Sequence, residues 1–250
     1  MDRILPPKKI HYCWFGRNPL PESALKCIAS WRKYFPGYEI IEWNEDNFDV
    51  NSIPYTAEAY AAKKYAFVSD YARFKILYDH GGLYFDTDVE VIKSFDDILS
   101  RGSFMGVEIE PQNGSKIAVN PGLGLGVSAH NNILSEIIDF YTVHNFRLEN
   151  GKINPYAVVK ITTDHLCRHG LKNISGIQAI EDITIYPAEY FNPLDDATGR
   201  LYKTSKTHSI HWFSKTWMDV NPFRQTISRF IHRIFGTKLT QLARRLTRTK

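Results

Sequence analysis

Gly81-Gly82-Leu83-Tyr84-Phe85-Asp86-Thr87-Asp88 is the stretch that decides the fold of this 250-residue chain. Residues 83–85 are apolar and predict a short buried strand, and the glycine pair before them predicts the end of a helix. The two aspartates follow the strand directly. Because open α/β sheets bind ligands at the edge where their strands end, both carboxylates are expected at a binding edge.

The segments before this stretch predict a β-α-β opening. Residues 9–15 are apolar and aromatic and predict a first strand, closed by Gly16. Residues 24–35 carry apolar side chains at helical spacing up to Pro36, and residues 38–43 predict a second strand. This order favours an α/β sheet with parallel neighbouring strands.

The region from residue 57 to residue 80 has the composition of one helix. Its apolar stripe consists of Phe67, Tyr71, Phe74 and Tyr78. The glycine pair that follows supplies the stop signal.

The remaining elements are predicted more coarsely. Residues 120–126 alternate glycine with other residues and predict a turn, a chain reversal near the site, since their spacing does not match a phosphate-binding loop. Residues 131–146 predict an amphipathic helix, and residues 183–187 and 209–213 predict short strands. The globular domain is expected to span residues 1–220.

Composition favours a reducing, cytoplasmic setting. Three cysteines without a paired spacing predict neither a disulfide framework nor a thiolate metal site. The first residues lack the pattern of a secretory signal, and no apolar run reaches the ~20 residues of a membrane span.

The charge is distributed unevenly along the chain. Residues 221–250 hold eight Lys or Arg and no acidic residue, which leaves 23 basic against 27 acidic residues in 1–220. Apolar residues recur at helical spacing between these basic residues, a pattern typical of an interfacial helix. We expect residues 222–250 to bind an anionic membrane surface, on the inner face of the cell membrane. The alternative is that the apolar stripe packs on the domain and its charges are solvated.

Asp86 and Asp88 are candidate ligands of a hard divalent cation, because two carboxylates one residue apart can both direct oxygens at one ion. Such a site leaves positions for a diphosphate. The alternative is that both residues simply end a strand. Asp70 and Arg73 lie three residues apart on one helix face, and taken alone they are better explained by an intrahelical ion pair.

These residues stand within a longer pattern. Residues 66–78 and 81–89 resemble the signature of the glycosyltransferases with a DXD sugar-binding region, family 32, which includes yeast-type mannosyltransferases and bacterial capsule and O-antigen enzymes. Residues 7–16 are similar to that family's first strand, and residues 210–217 to its closing motif. Residues 105–180 resemble it only loosely.

The resemblance implies a GT-A fold, a Rossmann-like nucleotide-sugar-binding α/β fold with a mixed, mainly parallel central sheet. It also implies Mn²⁺ or Mg²⁺ as cofactor, a UDP- or GDP-sugar donor and retention of anomeric configuration. The expected reaction transfers a hexose or N-acetylhexosamine to a glycan or lipid-linked acceptor in cell-surface polysaccharide synthesis.

The resemblance also assigns roles by position. Asp70 and Arg73 would hydrogen-bond the donor sugar, while Asp86 and Asp88 would contact sugar and metal, and these four are the expected catalytic residues. Trp14 corresponds to a tryptophan that stacks on the nucleotide base in related glucosylating toxins, although a plain core aromatic is an equal alternative.

The late segment offers further candidates. His211 is expected as a third metal or diphosphate contact, with a satisfied core histidine as the alternative. Many relatives have paired histidines here, whereas this chain has Trp212 as the second residue. Ser214 and Trp217 are expected to shape the same pocket.

Two other function classes remain open. A haloacid-dehalogenase-like phosphotransferase also places Asp-x-Asp after a strand, but its motif lies near the chain start and has Thr or Val where this chain has Glu90. A membrane-bound carbohydrate-binding module would keep the aromatic residues and the tail without any reaction. Nucleic acid is not an expected partner, because the body is acidic and no nucleic-acid-binding fold accompanies the tail.

Overall fold

The computed structural model describes residues 5–111 and 114–214, and within them the chain alternates strands and helices. The strands are β1 (Lys9–Cys13), β2 (Glu39–Trp43), β3 (Gly82–Tyr84), β4 (Val89–Val91), β5 (Ser103–Ile109), β6 (Ala118–Val127), β7 (Gln178–Ile180), β8 (Ile183–Tyr186), β9 (Leu194–Asp195), β10 (Arg200–Leu201) and β11 (Ser209–His211). The helices are α1 (Glu22–Tyr34), α2 (Pro54–Ala61), α3 (Tyr65–His80), α4 (Asp96–Leu99), α5 (Asn132–Thr142), α6 (Val158–Arg168) and α7 (Ala188–Phe191).

Seven of these strands form the central sheet, in the order β2-β1-β3-β6-β5-β8-β7. The sheet is mixed, as predicted, but parallel pairs do not predominate. Among the described strands of this sheet, β1 pairs in parallel with β2 and β3, and β5 with β8. The other three pairs are antiparallel, because β6 runs against both β3 and β5, and β7 against β8.

Two apolar layers cover the sheet and make a three-layer α/β structure. Helix α1 packs Ile28 and Trp31 into one layer, together with Phe85 and Phe95. Helices α2, α3, α5 and α6 contribute to the other layer, which includes Leu77. The expected α1 positions are confirmed, since Ala24, Ile28, Trp31 and Phe35 are all buried.

The prediction of one helix over residues 57–80 is wrong, because the structure has α2 and α3. Helix α2 ends at Ala61 with Ala62 as its C-cap, and Lys63 adopts a left-handed φ of 55°. The amide of Lys64 bonds to the carbonyl of Ala59, and that of Lys63 to Tyr60, which is the Schellman pattern of a helix end. Glycine or asparagine usually marks this position, and here a lysine takes it.

The prediction of a turn at residues 120–126 is also wrong, because these residues belong to β6, a long inner strand. A Cβ added at Gly126 would lie 2.3 Å from the Phe104 ring, and one at Gly124 would lie 3.0 Å from the Phe85 ring. The alternating glycines therefore let one face of a strand lie against aromatic rings.

Residues 221–250, with the expected membrane-binding stretch 222–250, lie outside the described residues, as does Trp217. In the described residues no helix is long and apolar enough to cross a membrane.

His11 is a buried histidine that helps to join β1 to the glycine pair. Its Nδ1 accepts a hydrogen bond from Trp43 Nε1 at 3.0 Å, so its Nε2 carries the proton and donates to the Gly81 carbonyl at 3.0 Å. Burial, only partly offset by the Gly81 bond, lowers the pKa of His11 to about 4. The ring is therefore neutral at physiological pH.

We expect His11 to make the fold acid-sensitive. The unfolded histidine binds a proton near pH 6.5 and the folded one only near pH 4, so stability is lost as pH falls through that window, by up to ~3 kcal/mol. Thermal unfolding of wild type and His11→Gln at pH 7.5 and pH 4.5 measures this. The variant should start less stable and show a smaller further loss, and an equal loss in both proteins would contradict the prediction.

Candidate active site

Strand β3 brings Asp86 and Asp88 to the edge of the sheet, as predicted. The Asp86 amide bonds to the Gly122 carbonyl at 3.0 Å, and the Val89 amide to the Asp86 carbonyl at 3.0 Å. These bonds fold residues 86–88 into a turn between β3 and β4. Both carboxylates are partly exposed at this edge.

The late strand β11 returns to this turn and carries His211 to it. It runs antiparallel to β4, with His211 opposite Val89, and the Trp212 amide bonds to the Asp88 carbonyl at 3.0 Å. His211 Nε2 lies 3.1 Å from Asp88 Oδ1. The backbone amide and the hydroxyl of Ser214 both donate to Asp88 Oδ2, each at 2.8 Å.

These contacts set the charge state of Asp88 and His211. Burial by itself would raise the pKa of Asp88, but the His211 charge and hydrogen bond, with the two Ser214 bonds, lower it to about 2. Burial would lower the pKa of His211, but the charges of Asp88, Asp86 and Glu108 raise it. The Asp88 carboxylate is therefore ionised, and the imidazole lies in a negative field.

Asp86, Asp88 and His211 suit a divalent cation. Each offers one ligand atom, and these atoms lie within 4.8 Å of one another. Two hard carboxylates and a borderline imidazole match Mn²⁺ well and Mg²⁺ through the oxygens. Moreover, His211 Nδ1 is buried and has no hydrogen-bond partner in the described part of the chain, so this ring is not a fully satisfied core histidine.

Arg73 connects helix α3 to the same turn. Its guanidinium, only 4% exposed, donates to Asp70 Oδ1 at 2.8 Å and lies 3.4 Å from Asp86 Oδ1. It also lies over the Tyr84 ring, 5.0 Å from the centroid, and bonds through Nε to the Ser69 carbonyl. The Tyr84 hydroxyl donates to Asp86 Oδ1 at 3.1 Å. The ion pair predicted within the helix is present, and it reaches beyond the helix to Asp86.

Burial separates the charge states of this group. Burial raises the pKa of Asp70 to about 7, although the Arg73 charge works against it and the Asp86 charge adds to it. Burial would lower the pKa of Arg73, but the charges of Asp86, Tyr84 and Asp70 raise it further above its usual value. The guanidinium is therefore a permanent cation beside a carboxyl group that titrates near neutrality.

A bulge in β6 completes the site from the other side. The register of β6 against β5 jumps from Leu125 opposite Met105 to Asn120 opposite Gly106, so four residues, 121–124, have no place in the ladder. A Cβ added at Gly122, within the bulge, would lie 1.9 Å from Asp86 Oδ2. Only a glycine leaves room for the carboxylate here.

Trp14 lies at the same edge, because β1 and β3 are parallel and Trp14 directly follows β1. Its ring is half-buried and packs against the α1-side core, and its Nε1 donates to the Asn18 carbonyl at 2.6 Å.

Sequence reasoning placed residues 120–126 near the site but gave no role to Gly122 or to the Asn120 side chain that bonds to its amide. It also missed the Tyr84 hydroxyl. The strand before the aspartates contained Tyr84, but its apolar setting suggested a core residue. Gly122, Gly124 and Gly126 recur at every second position, which is the spacing of residues on one face of a strand. This spacing indicated a strand with one face that carries no side chains.

Comparisons with known proteins cover part of the chain that forms this site. Residues 21–105 match the family model of the glycosyltransferase sugar-binding region containing a DXD motif. This region is similar to that DXD family. The matched residues include the Asp70–Arg73 pair and the Asp86–Asp88 turn, but not β11.

Two curated relatives extend the comparison. Inositol phosphoceramide mannosyltransferase 1 of Schizosaccharomyces pombe is 30% identical over 122 residues, 44% of this chain and 36% of that protein. An uncharacterized glycosyltransferase of Acanthamoeba polyphaga mimivirus is 28% identical over 193 residues, 75% of this chain and 73% of its own length. The chain thus spans about a third of the yeast relative and most of the viral one.

The solved structure of a PaToxG glycosyltransferase superposes with a TM-score of 0.50 at 20% identity, over 66% of this chain and 70% of that one. This likeness is one of fold, and it confirms the expected GT-A architecture.

We expect Gly122→Ala to disrupt the DXD turn. The new methyl group would overlap Asp86 Oδ2 and push the carboxylate away, so Mn²⁺ affinity should fall by roughly 10- to 100-fold. Isothermal titration with Mn²⁺ measures the change.

Gly37→Ala is the control. A Cβ there meets no atom within 4 Å, but the φ of 80° is strained for alanine, so this variant should lose stability without losing Mn²⁺ affinity. Equal Mn²⁺ affinity in Gly122→Ala and wild type would contradict the prediction, because it would show that a side chain at residue 122 does not disturb the Asp86 carboxylate.

Proposed function

We propose that the chain is a metal-dependent, retaining glycosyltransferase that moves a hexose or N-acetylhexosamine from a UDP- or GDP-sugar to a glycan or lipid-linked acceptor. One observation carries the proposal: Asp86, Asp88 and His211 converge within 4.8 Å beside the buried Arg73–Asp70 pair, at the sheet edge of a DXD-family fold.

In this proposal Asp86, Asp88 and His211 hold Mn²⁺ or Mg²⁺. The bound ion supplies positive charge that stabilises the diphosphate as it leaves the sugar. Ser214 keeps Asp88 in place through its two hydrogen bonds and thereby orients one of the ligands. Trp217 is proposed to complete the same pocket.

Arg73 and Asp70 are proposed to bind the donor sugar. A planar guanidinium fixed by Asp70, Asp86 and the Ser69 carbonyl keeps its orientation without reorganisation, and its remaining N–H groups suit hydroxyl or phosphate oxygens. Asp70 accepts through Oδ1 from Arg73, which leaves its second oxygen for a sugar hydroxyl. Trp14, at the same sheet edge, is proposed to stack on the nucleotide base.

The acceptor is proposed to be a glycan or a lipid-linked molecule of cell-surface polysaccharide synthesis. The yeast relative is named for inositol phosphoceramide, which is a lipid, and the basic tail of this chain would dock on an anionic leaflet on the cytoplasmic side. Each Lys or Arg near such a leaflet contributes about 1 kcal/mol, so several together give reversible docking.

The two alternatives lack comparable support. A phosphotransferase of the haloacid-dehalogenase type is not favoured by the DXD-family match. Glu90, which stands where that motif has Thr or Val, accepts a hydrogen bond through Oε2 from Trp212 Nε1 at 2.9 Å. A carbohydrate-binding module without a reaction needs no cluster of three metal ligands.

Asp88→Asn tests the metal site. Replacing the Asp88 carboxylate by an amide removes a negative charge from the cation site. Mn²⁺-dependent hydrolysis of the UDP- or GDP-sugar that the wild type hydrolyses should therefore fall by at least ~100-fold, while the protein stays folded. The assay follows nucleoside diphosphate release from a panel of UDP- and GDP-sugars with and without Mn²⁺.

Asp79→Asn is a matched control, since it makes the same change in a surface ion pair with Lys75. It should hydrolyse donor at the wild-type rate. Normal activity in Asp88→Asn would remove the metal hypothesis. In wild type, release of phosphate from phosphate esters would support the phosphotransferase, and turnover of neither substrate class would support the binding module.

Removal of residues 222–250 should separate docking from chemistry. The truncation removes all eight Lys and Arg of the tail, so the shortened chain should no longer sediment with vesicles that contain anionic lipid. It should still hydrolyse soluble donor. Neutral vesicles serve as the control for binding by charge. Unchanged sedimentation with anionic vesicles would contradict the docking proposal.

A further inference from the structure

Glu108 and Asn120 form a hydrogen bond that the proposed reaction does not use. Asn120 Nδ2, on β6, donates to Glu108 Oε2, on β5, at 2.6 Å. Asn120 is only 7% exposed, and the Glu108 charge is felt by His211.

This pair is connected to Asp86 through Gly122. The other end of the Asn120 amide, Oδ1, accepts from the Gly122 amide at 2.7 Å. The Gly122 carbonyl then accepts from the Asp86 amide at 3.0 Å, and the α-carbon of Gly122 faces the Asp86 carboxylate. Three consecutive hydrogen bonds thus run from Glu108 to the first aspartate of the DXD turn.

The Glu108–Asn120 hydrogen bond lies at one end of the β6 bulge, where it can fix the bulge in place. Residues 121–124 form the bulge that has no register partners on β5, and Asn120 is the residue at which the ladder resumes. An unpaired bulge that holds a glycine against a carboxylate requires fixation from side chains. The Glu108 side of the pair is itself fixed, because Asn192 Nδ2 donates to the Glu108 backbone carbonyl at 3.2 Å.

We infer that Glu108 is a positioning residue: through Asn120 it fixes the bulge at residues 121–124, and so holds Asp86 in the orientation that a divalent cation requires. The inference rests on the proposed function, because it concerns the same metal site. It assigns to Glu108 no contact with the ion or with substrate.

The variant Asn120→Asp distinguishes an effect of charge from an effect of position, because the two predict opposite changes in Mn²⁺ affinity. The new carboxylate keeps the acceptor for the Gly122 amide, but it loses the donor and repels Glu108, so the bulge is released. Added negative charge near the site would by itself strengthen Mn²⁺ binding. A positioning role instead predicts a loss of roughly 10- to 100-fold in Mn²⁺ affinity.

The double variant Asn120→Asp with Glu108→Gln reverses the direction of the bond. The glutamine amide can donate to the new aspartate, which still accepts from Gly122, so the bulge is held again with one negative charge in the pair. We expect most of the lost affinity to return. Glu108→Gln alone keeps an acceptor for Asn120 and should stay within about fivefold of wild type, since a neutral bond has roughly half the strength of a charge-assisted one.

The measurement is the Mn²⁺ dissociation constant of the full chain, from the electron paramagnetic resonance signal of free Mn²⁺, with metal-free thermal unfolding as a check of folding. Glu110→Gln is the control, because it removes the same charge two residues away, just after β5, where Glu110 accepts from the Ala188 amide. It should bind Mn²⁺ as wild type does.

The outcomes are separable. If wild type itself binds no Mn²⁺ and turns over no donor, the proposed function fails. If wild type binds Mn²⁺, then tighter or unchanged binding by Asn120→Asp, or no recovery in the double variant, overturns the positioning role. Should Asn120→Asp fail to fold, the comparison of Glu108→Ala with Glu108→Gln decides: equal affinities overturn the role, and a tenfold or larger extra loss in Glu108→Ala supports it.

Discussion

A buried guanidinium between two carboxylates is the interaction on which the site depends. Arg73 is 4% exposed and contacts Asp70 from its own helix and Asp86 from the turn after β3. A buried charge that loses one partner typically destabilises a protein by ~3–5 kcal/mol, so helix α3 and the turn are held to one relative position. The rest of the site is arranged around that position, with Tyr84 beneath the guanidinium and the β6 bulge opposite it.

The prediction was most accurate where a local pattern determines local structure. The spacing of Ile28 and Trp31 gave helix α1, and the short apolar run before Asp86 gave β3 with the carboxylates at its end. The aspartate turn was predicted from the sequence because both of its ligand candidates are neighbours along the chain. His211 was singled out from its place near the end of a late strand, and the structure puts it 3.1 Å from Asp88.

The errors share a physical origin in tertiary contacts. Nothing local marks Lys63 as a helix end, because a lysine in the left-handed region is tolerated only when surrounding hydrogen bonds require it. The glycines of β6 suggested a turn, because the groups that require them are distant in sequence. These groups are the Phe85 ring after β3, the Phe104 ring of β5 and the Asp86 carboxylate. Likewise Glu108 and Asn120 are ordinary polar residues until the strands pair.

The antiparallel pairing of β4 with β11 has a consequence for biosynthesis. Ser214 and Asp88 are 126 positions apart, yet they share two hydrogen bonds at the centre of the ligand cluster. During synthesis from the amino terminus, the ribosome must therefore release more than a hundred further residues before the carboxylate turn gains its histidine and serine. Until then a nascent chain lacks the contacts that His211 and Ser214 make with Asp88 in the complete fold.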